Sequence, residues 1–287
     1  MWISDKWSDY SLLDTSDGER LEKWGKHTLI RPDPQIIWKG VRRHAGWKSA
    51  DAIYKRSKIG GGEWKKRKLP EQWTISYGNL KFSIKPMGFK HTGLFPEQAC
   101  NWDWFSSLIR EAGRPIKVLN LFAYTGGATV AAAAAGASVC HVDAARGMVA
   151  LARENARLSN LADAPIRYIV DDCKKFIERE IRRGNRYDGI IMDPPSYGRG
   201  PSGEVWKLES HIDELITLAV KTLSDRPLFF LLNSYTTGLS PLAMRYILEL
   251  RLSENYRCVC EAGELALPVK VGGHLLPCGA SVRCTFP

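Results

Sequence analysis

The chain lacks any uninterrupted apolar run of the roughly 18–20 residues that cross a bilayer. Its first ten residues, MWISDKWSDY, carry no apolar core of the signal-peptide kind. Membrane insertion and export are therefore not expected, and the expected location is cytoplasmic. The seven cysteines form no even-numbered framework, which suggests free thiols in a reducing compartment. Cys258-x-Cys260 and Cys278-x5-Cys284 match no common structural zinc spacing, so no metal centre is expected. Internal repeats and low-complexity tracts are absent as well.

What remains is an ordinary globular composition, with 44% hydrophobic and 25% charged residues. At 287 residues the chain can bury a full core and suggests two domains, 1–115 and 116–287. Charge separates them. Residues 1–115 carry 21 Lys/Arg against 13 Asp/Glu, whereas residues 116–287 carry 20 against 18. The front segment therefore holds most of the formal +10 charge and would attract a polyanion such as nucleic acid. A basic surface that serves solubility alone gives the same count.

The front segment also holds nine of the ten tryptophans. Alternating stretches at 35–38, 52–58, 73–77 and 80–85 predict strands, with Gly60-Gly61-Gly62 and Gly78-Asn79 as hairpin turns. Beside one expected hairpin edge lies Trp64-Lys65-Lys66-Arg67-Lys68. Cations next to an aromatic ring suit phosphate contact with base stacking, which makes Lys65, Lys66, Arg67 and Lys68 candidate substrate-binding residues. Lysines on an edge strand also block edge-to-edge pairing, and both readings stand. Residues 101–111 predict a helix that closes this segment.

The second segment is organised around IKVLNLFAYTGGATVAAAAAGASVCHVD. Residues 116–122 form an apolar run short enough for a buried strand. Residues 128–135 are almost pure alanine and predict a helix, which Gly136 would end. Residues 137–142 read as a second strand with Asp143 at its tip. Strand, glycine turn, helix, strand and acid make the unit that holds an adenosine-containing cofactor, the acid gripping ribose hydroxyls. A dinucleotide site wants G-x-G-x-x-G at this turn, to cradle pyrophosphate. Ala123-Tyr124-Thr125-Gly126-Gly127 offers two adjacent glycines behind a tyrosine instead. That suits a cofactor without phosphates, such as S-adenosylmethionine, and argues against a nicotinamide oxidoreductase.

Beyond Asp143, helices at 146–158, 173–183, 204–223 and 241–251 alternate with strands at 166–170, 187–192 and 228–232. Residues 256–261, 265–271 and 280–286 read as strands, an antiparallel ending to a parallel sheet. In such a sheet the ligand lies off the carboxyl ends of the strands. Asp143, Asp171, Asp172 and Asp193 all fall there. Asp171 reads as a cap for the following helix. After the fourth strand, Asp193-Pro194-Pro195-Ser196-Tyr197 forms a rigid rim, because the prolines forbid continuation of the strand. Asp193 can accept from an amino group there, and the Pro and Tyr197 rings offer a flat surface to a base.

VLNLFAYTGGATV, VDAARGMVALARENARLSNL, VDDC and DGIIMDPPSYG resemble the class I S-adenosylmethionine-dependent methyltransferases. More narrowly they resemble the bacterial large-subunit (23S) rRNA cytosine-C5 and guanine-N7 methyltransferases. The resemblance implies a Rossmann-like, mostly parallel α/β sheet with an antiparallel C-terminal hairpin and a smaller β-rich N-terminal domain. It also implies RNA, ribosomal above all, as substrate. The lead-in HTGLFPEQACNW is similar to the family's T-G-x-x-x-D-Q-R, which implies Phe95 and Gln98 at the cofactor. Glu97 and Ala99 depart from that pattern. By the same resemblance the turn residues Ala123, Tyr124, Thr125 and Gly126 lie at the cofactor, Asp143 on the ribose and Asp172 near the adenine. Asp193, Pro194 and Pro195 would be catalytic, and Ser196 and Tyr197 would meet the substrate. Cytosine-C5 members carry a nucleophilic Cys after strand five, where this chain has Asn233-Ser234-Tyr235-Thr236-Thr237-Gly238. A nitrogen acceptor is therefore favoured over carbon. Cytosine-C5 transfer, a protein or small-molecule methyltransferase, and a non-catalytic nucleic-acid-binding protein are the alternatives.

Overall fold

A computed structural model describes residues 1–57, 61–66, 68–199, 205–236 and 238–287; Arg67 and Thr237 lie outside the described residues. The chain forms two units. One contains Asn101–Leu265 and Gly279–Pro287, the other Trp2–Cys100 and Ala266–Cys278. No helix among the described residues is long and apolar enough to cross a membrane.

The larger unit is built on seven strands of an eight-stranded sheet: β1 (Lys117–Leu121), β2 (Ser138–Asp143), β3 (Ile166–Val170), β4 (Gly189–Met192), β5 (Phe229–Ser234), β6 (Val259–Pro268) and β7 (Leu275–Thr285). Their order across the sheet is β6-β7-β5-β4-β1-β2-β3. β1 pairs in parallel with β2 and with β4, β2 with β3, and β4 with β5. β7 runs antiparallel to β5. Six helices accompany them: α1 (Ala99–Glu111), α2 (Gly127–Ala134), α3 (Arg146–Leu158), α4 (Cys173–Arg183), α5 (Leu208–Val220) and α6 (Pro241–Leu252). The expected α/β sheet with an antiparallel C-terminal hairpin is thus the observed one.

Both faces of this sheet are apolar, as parallel strands under helices require. Leu119, Leu121, Ile190, Met192, Phe230 and Leu232 meet Phe176 of α4, Ile212 and Ile216 of α5, and Met244 and Leu248 of α6 in one core. Phe229 points to the opposite face, because side chains alternate along a strand. There it stacks on Phe105 of α1 with centroids 5.7 Å apart. The helix ends follow local chemistry. Gly184 takes φ 70° behind α4, and Ser240 accepts from the Ala243 amide ahead of Pro241 at the start of α6.

In the smaller unit five strands pair in the order Tyr10–Ser16, Glu19–Trp24, His27–Pro32, Ala52–Arg56 and Gly62–Lys66. Trp73–Tyr77 and Leu80–Ile84 form a separate hairpin. The buried Glu22 carboxylate receives Arg31 at 2.6 and 2.7 Å and the Tyr10 hydroxyl at 2.8 Å. Burial would raise its pKa; Arg20 and Arg31 reverse that and hold it at about 2. Two amides of the late segment close on an edge strand, Lys270 N to Leu12 O (2.9 Å) and Val271 N to Leu13 O (3.0 Å).

Several expectations are corrected. Residues 35–38 form no strand, whereas the first three strands of the smaller unit were not expected. The helix expected over 204–223 is α5 alone, preceded by a ribbon in which Tyr197–Arg199 pairs antiparallel with Val205–Lys207. The three expected C-terminal strands are the two long strands β6 and β7. Cys260 and Cys284 are joined by a disulfide rather than being free thiols, since the sheet brings their Cα atoms within 4.0 Å.

Candidate cofactor and substrate site

Because the strands are parallel, their carboxyl ends share one edge, and the order reverses between β1 and β4. Such a reversal opens a crevice at the strand tips. Leu121 is in register with Val142 on one side and Met192 on the other. Phe122, Asp143 and Asp193 therefore follow as one rung, with Asp143 and Asp193 two strand spacings apart, about 10 Å.

At this rung the β1 chain turns sharply. Phe122 (φ 56°), Tyr124 (φ 51°) and Gly126 (φ 81°) are all left-handed. Two of them are not glycine, and such backbone persists only where surrounding contacts hold it. Those contacts are present. Asp143 accepts from Tyr124 N through Oδ2 and from Ala145 N through Oδ1, both at 2.8 Å. Val142 O receives Ala123 N at 3.0 Å, and Asn155 of α3 donates from Nδ2 to Thr125 O at 2.8 Å. A Cβ on Gly126 would stand 2.8 Å from that of Ala152, so this glycine lets α2 close on α3. Ala123, Thr125 and Gly126 are buried, while Tyr124 reaches the surface.

Beneath the turn runs a buried polar chain. Asn120 Nδ2 donates to Thr129 Oγ1, and the Thr129 hydroxyl meets His141 Nδ1, each at 2.9 Å. Burial, and secondarily Arg153, lowers the His141 pKa to about 4, so the ring is neutral at pH 7.

Asp143 fits an adenosine ribose. Two of the roughly four lone-pair directions of its carboxylate serve backbone amides. The remaining directions suit a pair of vicinal hydroxyls, and the carboxylate is only half-buried. Asp172 is exposed at the end of β3, with Oδ1 accepting from Lys175 N at 2.9 Å. It is therefore Asp172 that caps α4, whereas Asp171, expected in that role, forms an ion pair with Arg179.

The rim after β4 is braced from several sides. Pro194 is buried and Pro195 exposed. Trp206 of the ribbon donates from Nε1 to Pro195 O at 2.7 Å, stacks on His211 at 4.9 Å and packs near Phe122 at 6.2 Å. Ser196 O accepts from Leu208 N at 3.1 Å, and Ser196 Oγ accepts from Thr236 Oγ1 at 2.7 Å. The loops after β4 and β5 are thereby joined. Asp193 is half-buried and Tyr197 is 53% exposed. The sulfur of Cys173 lies below the turn, accepting from Phe122 N at 3.3 Å, and burial pushes its thiol far above the usual range.

Five of the described predicted residues belong to the smaller unit. Phe95 packs edge-on to His91 at 5.6 Å and precedes a short helical turn, Pro96–Gln98, in which Gln98 is buried. Lys65 and Lys66 are exposed on the edge strand Gly62–Lys66, and Lys68 is exposed just beyond it. Trp64 beside them is occupied, donating to Met87 O at 2.7 Å and packing against Tyr54. Sequence reasoning missed Asn155, the Asn120–Thr129–His141 chain and Trp206. A signal existed for Asn155, which interrupts the apolar face formed by Val149, Ala152 and Ala156 on α3.

A profile of the S-adenosylmethionine-dependent methyltransferases matches residues 51–213. A crystal structure of a SAM-dependent methyltransferase from Agrobacterium tumefaciens is 37% identical, with a TM-score of 0.92 over 99% of this chain and 92% of that one. A Methanocaldococcus jannaschii protein named as a candidate ribosomal RNA large subunit methyltransferase is 33% identical over 159 residues, 52% of this chain and 40% of that protein. Ribosomal RNA large subunit methyltransferase K/L of Shewanella sp. strain MR-4 is 33% identical over 161 residues, 55% of this chain and 22% of that protein. The chain thus spans less than half the length of these two curated relatives.

Proposed function

The chain belongs to the S-adenosylmethionine-dependent methyltransferase family, and from that premise we propose that it methylates a nitrogen of a base in RNA, with ribosomal RNA as the substrate class. The names of the relatives and the basic front segment support the RNA reading.

The cofactor supplies a methyl group already activated on a sulfonium. In-line displacement there needs orientation more than acid–base help. Ala123, Tyr124, Thr125 and Gly126 would border the cofactor, Asp143 would take its ribose hydroxyls, and Asp172 would lie towards the adenine. The resemblance of HTGLFPEQACNW adds Phe95 and Gln98 to the proposed cofactor residues. Asp193 and the Pro194 carbonyl would accept from an exocyclic amine or orient a ring nitrogen. Pro195, Ser196 and Tyr197 would hold the flat base, and Lys65, Lys66 and Lys68 would take phosphates.

The observation that carries the nitrogen assignment is the loop after β5. Cytosine C5 becomes nucleophilic only after a thiolate adds to the ring. Here that loop offers Thr236, which bonds Ser196 of the loop after β4, and a hydroxyl ionises far less readily than a thiol. Cys173 is buried with its thiol held protonated, and the Cys100 thiol donates to Glu97 O at 3.3 Å.

The test is transfer of a labelled methyl group to rRNA from cells lacking the gene, followed by mass spectrometry of the nucleosides. Label on a base nitrogen is expected. Label on carbon, or a covalent adduct with 5-fluorocytosine RNA, would overturn the nitrogen assignment. Label found only in protein or small molecules would overturn the RNA reading.

A further inference from the structure

Residues 37–43 of the smaller unit, Ile37-Trp38-Lys39-Gly40-Val41-Arg42-Arg43, combine two properties that rarely coincide. All seven are exposed, Ile37 at 87% and Val41 at 80%. Yet the backbone is firmly held against the edge strand Tyr10–Ser16 and the turn after it. Trp38 O accepts from Asp17 N at 3.1 Å, and Ser16 Oγ both donates to Gly40 O (2.8 Å) and accepts from Gly40 N (3.1 Å). The Asp14 carboxylate receives Arg43 N and His44 N at 3.0 and 3.1 Å. The fold fixes this loop while leaving two branched aliphatic side chains in water. Apolar side chains held in water by a braced backbone mark a contact surface.

The cations decide which contact. Arg42 is taken, paired with Glu19 at 2.6 Å and lying 4.3 Å over the Trp47 ring. Lys39 and Arg43 have no acidic partner among the described residues. Next to Lys39 in the chain is Trp38, whose indole donates from Nε1 to Thr15 Oγ1 at 3.2 Å and is 39% exposed. Two unneutralised cations in the same exposed loop as a braced aromatic ring complement a chain of phosphates carrying flat bases.

We propose that loop 37–43 is an RNA-binding element, in which Trp38 stacks a base of a single-stranded segment while Lys39 and Arg43 neutralise flanking phosphates. This rests on the RNA reading above. It places the contact on the sheet edge opposite Lys65 and Lys66, four strand spacings or about 19 Å away. RNA bound to both edges would cross the sheet.

The experiment is fluorescence anisotropy of the full chain with a labelled 20-nucleotide single-stranded RNA between 50 and 300 mM KCl. Wild type, Lys39→Ala/Arg43→Ala and Trp38→Ala are compared, with cofactor affinity as the control for folding. The double variant should lose about 1.4 from the slope of log K against log salt, at roughly 0.7 per phosphate. Trp38→Ala should weaken binding about tenfold or more with an unchanged slope. Wild-type slope and affinity in both variants would overturn the loop assignment and leave the RNA reading intact. A wild-type chain that binds no RNA would overturn both. If the variants lose binding to phosphatidylglycerol vesicles but not to RNA, the loop is a membrane contact and the proposal fails.

Discussion

At the scale of the residue, Asp143 does two things at once. Its carboxylate ties down the turn through Tyr124 N and Ala145 N, and in the proposed role it would also take the ribose hydroxyls. Asp143→Ala should weaken S-adenosylmethionine binding by about 1.5–3 kcal/mol, the scale of hydrogen bonds to a charged group. Asp143→Asn, which keeps one acceptor oxygen, should fall between; calorimetry showing full affinity in a folded Ala variant would remove Asp143 from the site. Asp143 was legible because it ends an apolar strand just before a helix. The Asp171–Asp172 pair was not, since which of two adjacent acids caps a helix depends on one ψ angle, extended at Asp172. His141 was hidden inside an apolar strand, yet it sets a pH dependence. Its pKa is about 4 folded, and that of His91 is likewise about 4, lowered by burial and then by Arg31. Below about pH 6.5 the unfolded chain binds these protons first. Stability should therefore be full above that pH and fall towards pH 4, by up to about 3 kcal/mol per histidine. Melting temperatures between pH 7.5 and 4.5 would show it. A flat profile would contradict neutral, buried rings. Glu22 acts in a lower window, its contribution fading from about pH 4.5 towards 2.

Among the elements, the turn after β1 is the least tolerant. Gly126→Ala would combine a left-handed alanine, about 1–2 kcal/mol, with a collision against Ala152 worth about 1–3 kcal/mol. Loss of roughly 2–5 kcal/mol in denaturant unfolding is expected, together with weakened cofactor binding. The ribbon after β4 calls for a subtler change. Trp206→Phe keeps the ring against His211 but removes the donor to Pro195 O. Methyl transfer should slow by about three- to thirtyfold through a looser rim, while cofactor affinity stays as it was. Unchanged kcat would mean the indole N–H does not brace the rim. The sequence foretold α3, α4 and β3 to the residue because periodicity and caps are local signals. The ribbon could not be foretold, since Val205-Trp206-Lys207 becomes a strand only by pairing with Tyr197–Arg199. Glu19–Trp24 was missed because Arg20 and Glu22 point inwards, which inverts the polar pattern of a surface strand. The opposite error arose at Ile36-Ile37-Trp38, where an apolar run sits in a loop whose backbone bonds to Ser16 and Asp17.

For the molecule as a whole, the smaller unit is not one continuous stretch. It consists of Trp2–Cys100 together with Ala266–Cys278, and the late segment bonds through Lys270 and Val271 to Leu12 and Leu13. A fragment ending at residue 115 therefore leaves two carbonyls of an edge strand uncovered. It should show weaker amide protection at that strand than the full chain, and hydrogen exchange would report it. The same threading bears on the order of events at the ribosome. The first hundred residues emerge early, but the piece that finishes their sheet edge is synthesised about 165 residues later. At about 5–20 residues per second the nascent front unit waits on the order of ten to thirty seconds with that edge open. During this interval its Tyr10–Ser16 strand is the segment exposed to mispairing, and the one a chaperone would have reason to cover.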